Sequence, residues 1–196
     1  MPDLSRYKGI VFDMDGTLID SMGAHGLAWQ QTCEKYAYPF DGEYIHDLGG
    51  VPTREIVKLL NEKYGLSHDL DEVTETKRLA FLALNDNPSI IEDTFEVMLA
   101  HQGKLKMGVG TGSERNNAIR MLTNTGLLEH LETVVTASDV THGKPHGETF
   151  KTVATNMGLQ ANECVVFEDT EIGRLAAKNA GMDCIMVING KIVLPQ

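Results

Sequence analysis

The segment Val11–Asp20, VFDMDGTLID, places two carboxylates two residues apart after an apolar run, and a glycine follows them directly. The preceding residues 9–12, GIVF, are apolar and rich in branched side chains, which predicts a short buried strand. Ligands of open parallel sheets bind outside the carboxyl ends of the strands. Asp13 and Asp15 are therefore predicted to lie at the ligand-binding edge of a sheet, where Gly16 lets the chain turn away.

Similar apolar runs recur down the chain and alternate with helical patterns. The further strand candidates are KMGVG (106–110), TVVTAS (133–138), CVVFED (164–169) and CIMVI (184–188). The helix candidates between them are ERNNAIRMLTNTGL (114–127), GETFKTVATNMGL (147–159) and EIGRLAAKNAGM (171–182), each with a glycine near its end. This alternation predicts an α/β fold with a Rossmann-like parallel sheet that is covered on both faces.

The interval between the first and second strand candidates has a different character. It contains three helix-like segments, at 23–36, 53–66 and 70–86, and no convincing strand. Such an interval is too long for a simple crossover connection. We therefore expect an inserted helical cap domain over residues 17–88, with residues 1–16 and 89–196 forming the α/β core domain.

Composition excludes several classes of protein. The net charge of −11 argues against a nucleic-acid groove or an anionic membrane surface as partner. No window approaches the roughly 18 apolar residues of a membrane span, and no secretory leader is evident, so we expect a cytoplasmic protein. The oligomeric state has no sequence signature, and a monomer is the simplest expectation.

Three cysteines, Cys33, Cys164 and Cys184, are far apart and lack CxxC spacing. An odd number without paired spacing favours neither a disulfide framework nor a zinc site. We expect reduced thiols, with Cys164 and Cys184 inside buried strands.

Acidic residues follow two of the strand candidates. Asp13 and Asp15 come after the first, and Glu168 and Asp169 close the run CVVFED. A lone aspartate at a strand end more often caps a helix or solubilises a loop. Two acidic pairs at one sheet edge would repel each other unless a cation neutralised them, and carboxylate oxygens suit Mg²⁺. The sequence therefore predicts a magnesium site.

Two further segments could bind a phosphate. GTGSERNN offers the Thr111 hydroxyl, the flexible Gly112 and the N–H groups of a starting helix, although Ser113 could instead be an ordinary helix cap. Lys144, in HGKPHGETF, precedes a proline that keeps it extended. An isolated lysine is usually a solvated charge, but a cation beside several carboxylates and a phosphate would be useful.

Four motifs occur in an order that resembles the haloacid dehalogenase superfamily. They are DMDGTLIDS (13–21), VGTGS (109–113), GKPHGETF (143–150) and VVFEDTEIGRLAAKNAGM (165–182). The helical insert after the first motif resembles the cap of the β-phosphoglucomutase-like branch. Within that branch the chain is similar to small bacterial sugar-phosphate phosphatases of the fructose-1-phosphate type.

The resemblance implies a role for each motif residue. Asp13 would be the nucleophile that becomes an aspartyl phosphate, and Asp15 the acid that protonates the leaving oxygen and then the base that activates water. Mg²⁺ would be held by the Asp13 carboxylate, the Asp15 carbonyl and Asp169, with Glu168 acting through a bound water. Thr111 and Lys144, together with Gly112 and Ser113, would hold the phosphoryl oxygens.

The resemblance also points to cap residues that would bind substrate. His25 could orient Asp15 or the sugar, or could be a half-buried helix residue four before Trp29. Gly50 and Arg54, in GGVPTR, resemble a cap loop that lays a glycine and an arginine over the substrate, although the mutase pattern lacks Pro52. Lys77 falls near a cap lysine of the mutases, or belongs to a solvated helix face. His146, where the family more often has a small residue, could approach the site or face solvent.

The leading functional hypothesis is a Mg²⁺-dependent phosphatase for small phosphorylated sugars. A β-phosphoglucomutase would use the same nucleophile but return the phosphoryl group to a second hydroxyl. A phosphorylated switch module also has acidic residues around an acceptor aspartate, but it lacks a long insert after the first strand. A catalytically silent scaffold is disfavoured because reactive residue types fill all four motifs.

Overall fold

The computed structural model describes residues 1–84 and 88–194. The end of the predicted helix over 70–86 and the last two residues of the predicted core domain lie outside the described residues. Within the described ranges, no helix has the length and apolarity needed to cross a membrane.

Strands and helices alternate as the sequence predicts. The strands are β1 (Gly9–Phe12), β2 (Ile19–Asp20), β3 (Ser89–Ile90), β4 (Lys106–Gly110), β5 (Thr133–Val135), β6 (Cys164–Glu168), β7 (Asp183–Ile188) and β8 (Lys191–Val193). The α-helices are α1 (Met22–Lys35), α2 (Gly42–Asp47), α3 (Thr53–Tyr64), α4 (Leu70–Leu84), α5 (Glu92–His101), α6 (Arg115–Asn124), α7 (Glu148–Asn156) and α8 (Glu171–Ala180). Short 3₁₀ turns cover Leu127–His130, Ala137–Asp139 and Ala161–Glu163.

Strand β1 lies near the centre of a six-stranded sheet with the order β5-β4-β1-β6-β7-β8. It pairs in parallel with β4 and β6, so that Phe12 lies opposite Val109 on one side and Phe167 on the other. All four residues of β1 are buried, as expected of a strand whose two faces are both covered. The residues that follow Phe12 therefore emerge at the carboxyl ends of the parallel strands, where ligands of such sheets bind.

Strand β8 is the element of this sheet that the alternation pattern does not predict. It pairs antiparallel with β7, so the sheet is mostly rather than wholly parallel. The two strands are joined by Asn189 and Gly190, which have φ angles of 51° and 73°. Positive φ at both central residues of a two-residue loop is typical of a tight hairpin, and Asn-Gly is its strongest short-range signal.

Side chains of β1 alternate between two apolar layers. Ile10 and Phe12 pack in one cluster, and Val11 packs in the other, against α7 and α8 residues such as Phe150 and Ala176. Cys164 is buried in β6, but Cys184 is only half-buried, so the expectation for Cys184 is wrong. The reason is that β7 lies next to the edge strand, where only every second residue is fully buried.

The helical insert has an apolar cluster of its own. Its fully buried members are Trp29, Cys33, Tyr38, Ile45, Ile56, Val57, Leu60 and Val73. The expectation of no strand within residues 17–88 is wrong at one point, because β2 pairs antiparallel with β3 where the two connections to the sheet run side by side. The Thr94 hydroxyl also donates to the Thr17 carbonyl at 2.6 Å. The domain boundaries at 17 and 88 stay a prediction.

Candidate active site

Three neighbouring strands deliver polar side chains to one edge of the sheet. Asp13 follows β1, Thr111 follows β4, and Glu168 is the last residue of β6. Between this edge and the helical insert lies a cavity of about 540 Å³. Gly16, with a φ of 85°, turns the chain away from the sheet towards the insert. The sheet topology therefore places the first and fourth motifs at the same cavity.

Lys144 is the buried cation of this edge. Its Nζ donates to Asp13 Oδ1 at 2.5 Å and to Glu168 Oε1 at 3.0 Å, and its side chain is fully buried. Burial disfavours the ammonium, but the two carboxylates outweigh it and raise the pKa of Lys144. The alternative of a solvated charge is therefore wrong for Lys144.

Three carboxylates crowd the same point. One oxygen from each of Asp13, Glu168 and Asp169 lies within 4.8 Å of the others. Burial, opposed by Lys144 and reinforced by Glu168 and Asp169, raises the pKa of Asp13 well above its ordinary value. Burial and then the charge of Glu168 raise the pKa of Asp169 to about 7. One lysine does not neutralise three acids, and the donors are all hard oxygens, so the residues fit a divalent cation such as Mg²⁺.

Asp15 is held differently from Asp13, although only one residue separates them. Its carboxylate accepts hydrogen bonds from the Ser21 hydroxyl at 2.6 Å and the Ser113 hydroxyl at 2.8 Å, and it contacts His25 Nε2 at 3.2 Å. Burial alone would raise its pKa, but the pairing with His25 and the hydrogen bonds from the two hydroxyls hold that pKa far below its ordinary value. Its side chain lies outside the three-carboxylate cluster.

His25 and Lys77 form a chain of contacts that leads to Asp15. Lys77 Nζ donates to His25 Nδ1 at 2.7 Å. An ammonium has no acceptor, so His25 Nδ1 accepts, and Nε2 carries the proton that is donated to Asp15. The imidazole stacks on Phe81 with ring centroids 4.0 Å apart. His25 is thus half-buried on its helix and in contact with Asp15, as both sequence interpretations allow.

Lys77 is not on a solvated helix face, because only 4% of it is exposed. Burial lowers its pKa to about 8, against the opposing charge of Asp15. Burial and then the charge of Lys77 lower the pKa of His25, which Asp15 only partly offsets. A neutral imidazole between an ammonium and a carboxylate is the state that these hydrogen bonds support.

The loop after β4 contacts both Asp15 and the helical insert. The buried Thr111 accepts the Ser113 N–H on its hydroxyl at 3.0 Å. Ser113 is not the cap of α6, because Glu114 precedes that helix and the Ser113 hydroxyl donates to Asp15. A Cβ added at Gly112 would lie 2.3 Å from the Gly50 carbonyl oxygen, so the two loops touch through their backbones.

The other residues predicted to bind substrate differ in how close they lie to the cavity. Gly50 lies against Lys144, whose Cδ would be 3.2 Å from an added Cβ. Arg54 lines the cavity, but its Nε donates to Asp71 at 2.7 Å and 59% of its side chain is exposed. His146 does not line the cavity and is 58% exposed, so it faces solvent.

Several residues that line the cavity or hydrogen-bond its carboxylates lie outside the sequence prediction. Ser21 is the clearest case, because it is the last residue of the first motif and hydrogen-bonds Asp15. Thr17, two residues after Asp15, donates to Asp169 at 3.2 Å. Lining residues without a local sequence signal are Phe40, His46, Thr74, Arg78 and Asn117.

Comparison with known proteins agrees with this geometry. The sequence profile of the haloacid dehalogenase-like hydrolases matches residues 10–187. The chain belongs to this family. It is therefore an enzyme of a hydrolase family, which disfavours both the switch module and the silent scaffold.

Named relatives and solved structures extend the comparison. The chain is 37% identical over 188 residues to the fructose-1-phosphate phosphatase YqaB of Escherichia coli, covering 93% of this chain and 97% of that protein. It is 27% identical over 195 residues to the β-phosphoglucomutase of Bacillus subtilis, covering 95% of this chain and 86% of that protein. A crystal structure of β-phosphoglucomutase from Clostridium difficile has the same fold, with a TM-score of 0.80 and 22% identity over 92% of this chain and 84% of that one.

Proposed function

We propose that this protein is a Mg²⁺-dependent phosphatase that hydrolyses small sugar phosphates of the fructose-1-phosphate type through an aspartyl phosphate. The observation that carries the proposal is the placement of Asp13, which lies at a cavity edge beside Lys144 and two further carboxylates. The name of the Escherichia coli relative supports the choice of substrate.

Asp13 is proposed as the nucleophile. A carboxylate oxygen of Asp13 forms a bond to phosphorus while the bond from phosphorus to the sugar oxygen breaks. Asp13, Glu168 and Asp169 would hold Mg²⁺, with the Asp15 carbonyl as a further predicted ligand, and when bound the ion offsets the negative charge of the phosphoryl group. Lys144 would also stabilise the negative charge of the phosphoryl group. Its hydrogen bonds to Asp13 and Glu168 hold its ammonium next to the nucleophile.

Asp15 is proposed as the group that moves the proton. It gives a proton to the departing sugar oxygen, and in the second half it takes a proton from the water that attacks the aspartyl phosphate. The low pKa of Asp15 keeps it ionised before substrate arrives. An approaching phosphate dianion favours its protonation, because like charges disfavour the ionised form. Asp15 thus takes up a proton from solvent as substrate binds, gives it to the sugar oxygen, regains one from the attacking water and releases that one when phosphate leaves.

Substrate recognition is proposed to divide between the sheet edge and the insert. Thr111, Gly112 and Ser113 would hold phosphoryl oxygens, and His25 and Lys77 would orient Asp15. Arg54 and Gly50 would face the distal part of the sugar. A cavity of about 540 Å³ lies in the size range of small-molecule sites and accommodates a hexose phosphate.

The test is a phosphate-release screen over hexose and pentose phosphates with Mg²⁺, repeated after chelation with EDTA. We expect release from a ketohexose 1-phosphate, and loss of that release with EDTA. Asp13→Asn should lower kcat by at least about a thousand-fold, because it removes the nucleophile. Asp183→Asn, an exposed carboxylate on β7, is the matched control and should retain activity. Unchanged release by Asp13→Asn would refute the mechanism.

The relative in Bacillus subtilis supports a second candidate, a β-phosphoglucomutase. The two candidates share Asp13 and differ in whether water or a second sugar hydroxyl receives the phosphoryl group. A coupled assay of glucose 6-phosphate formation from β-glucose 1-phosphate, run beside phosphate release, separates them. Isomerisation without phosphate release would refute the phosphatase and favour the mutase.

A further inference from the structure

A second group of metal-ligating side chains lies on the loop that precedes α7, and its members do not line the cavity. One atom from each of His142, His146 and Glu148 lies within 4.8 Å of the others. His142 Nδ1 is 3.1 Å from Glu148 Oε2, and His146 Nδ1 is 3.9 Å from the same oxygen. The two imidazole rings have centroids 4.9 Å apart. Two imidazoles therefore converge on one carboxylate oxygen.

These spacings suit the coordination shell of a transition metal. Ligand atoms bound tetrahedrally at about 2.0–2.1 Å from zinc lie about 3.3 Å from one another. The two separations from Glu148 Oε2, 3.1 and 3.9 Å, lie on either side of that value. Both histidine side chains are more than half exposed, so a hydrated ion can reach them.

The carboxylate at the centre of the group is already held in position. Glu148 accepts the backbone N–H of Thr141 on Oε1 and that of His142 on Oε2, each at 2.9 Å. These bonds fix the carboxylate before any ion arrives, which lowers the ordering cost of binding. The His146 Nδ1 atom accepts only a longer bond of 3.2 Å from the Glu148 N–H, which water can replace at the surface.

We propose that His142, His146 and Glu148 form a second metal site, selective for Zn²⁺ and related borderline ions over Mg²⁺. Imidazole nitrogen favours zinc, nickel and copper, whereas the three carboxylates in the cavity favour magnesium. Binding through Nδ1 takes the place of the proton that His142 shares with Glu148, and the neutral imidazole then carries its proton on Nε2. Water completes the coordination, since the three protein ligands leave a position open.

The site would brace the loop that carries Lys144. His142 is two residues before Lys144, His146 is two residues after it, and Glu148 is the first residue of α7. The same loop touches the insert, because a Cβ added at Gly143 would lie 2.7 Å from a Pro52 side-chain atom. A bound ion would therefore link the residues on either side of Lys144, the part of this loop that enters the active site. This inference does not depend on the proposed substrate.

The test measures binding of Zn²⁺ alone to the full chain in excess Mg²⁺, without any affinity tag. Calorimetry should show one zinc per chain for the wild type and loss of that binding in the double variant His142→Ala, His146→Ala. His101→Ala, which removes a half-buried histidine at the end of α5, is the matched control and should bind like the wild type. Circular dichroism of each variant checks that it is folded.

Two spectroscopic measurements separate this site from the cavity. Cu²⁺ bound to the wild type should give electron paramagnetic resonance with nitrogen coupling, which the carboxylate cluster in the cavity cannot supply. Amide hydrogen exchange over residues 141–147 should slow at least threefold with zinc. Absence of stoichiometric zinc binding by the wild type, or equal binding by the folded double variant, would overturn the proposal.

Discussion

Replacing the buried Lys77 with methionine should stabilise the protein while impairing it as an enzyme. Methionine keeps an unbranched side chain of similar length but carries no charge. Lys77 is 4% exposed, and burial lowers its pKa from 10.5 to about 8. The folded protein therefore keeps a charged ammonium in a buried environment that disfavours the charge. A position with such a conflict is typical of a functional site, where stability and activity oppose each other.

The magnitude follows from the pKa. A tenfold change in a protonation equilibrium corresponds to about 1.4 kcal/mol, so lowering the pKa from 10.5 to about 8 reflects about 3 kcal/mol of disfavour for the charged form. Lys77→Met removes this cost. It also removes the hydrogen bond to His25 and the cation–π contact with Phe81, each worth about 1 kcal/mol. The expected net gain at pH 7 is about 1–2 kcal/mol in free energy of unfolding.

The sign of the pH dependence provides the sharper test. Below pH 8 both folded and unfolded wild-type chains carry the Lys77 proton. Between about pH 8 and 10.5 the folded chain loses it first, so the unfolded state binds more protons and wild-type stability rises with pH. The advantage of Lys77→Met should therefore shrink by about 3 kcal/mol across that window and change sign.

Urea unfolding of both proteins at pH 7, 9 and 10.5, followed by circular dichroism, measures this difference directly. Lys58→Met, an exposed lysine on the neighbouring helix α3, is the matched control. Its effect should stay within about 0.5 kcal/mol at each pH. A difference between wild type and Lys77→Met that does not vary with pH would refute the reasoning, as would destabilisation at pH 7.

Three further substitutions probe the active site. Gly173→Ala would bring a Cβ within 1.9 Å of the Glu168 carboxylate carbon, and we expect the Mg²⁺ concentration for half-maximal rate to rise at least about tenfold. Ser113→Ala removes a hydroxyl that donates to Asp15, and kcat should fall about tenfold at nearly constant KM. His25→Phe keeps an aromatic ring but no N–H, and kcat should fall about a hundredfold at nearly constant KM.

The limits of two central strands, β1 and β4, were the most predictable part of the molecule, whereas the run predicted over 133–138 extends three residues beyond β5. Strand β1 begins and ends where the apolar run GIVF does, and β4 matches KMGVG. Parallel strands with both faces covered are continuous apolar runs, so their limits are visible in sequence. Once those strands are neighbours, the residues that follow them must converge, which is why Asp13, Thr111 and Glu168 lie at one cavity.

The helical insert was less predictable, because a polar residue on a helix has the same local sequence pattern whether it is buried or exposed to solvent. Lys77, in ETKRLAF, has charged neighbours on both sides of it in the sequence, yet it lies buried beside His25 and Phe81. Its burial depends on the packing of α4 against α1, which brings together residues 52 positions apart. Local periodicity contains no information about a partner at that distance.

The pKa values of Asp13 and Asp15 shift in opposite directions, which suits these two neighbouring carboxylates to different roles. Burial, reinforced by Glu168 and Asp169 and only partly offset by Lys144, destabilises the Asp13 anion, which therefore gains from a nearby cation. Asp15 is surrounded by donors from Ser21, Ser113 and His25, which stabilise its anion and fix its direction. Environments that separate the pKa values of two neighbouring acids in this way suit them to different steps, as the proposed roles require. The donors around Asp15 come from both the sheet edge and the insert, so its protonation depends on the contact between the two. With Asp15 in the proposed role, proton transfer would depend on the position of the insert over the substrate, whereas the surroundings of Asp13 lie mainly on the sheet.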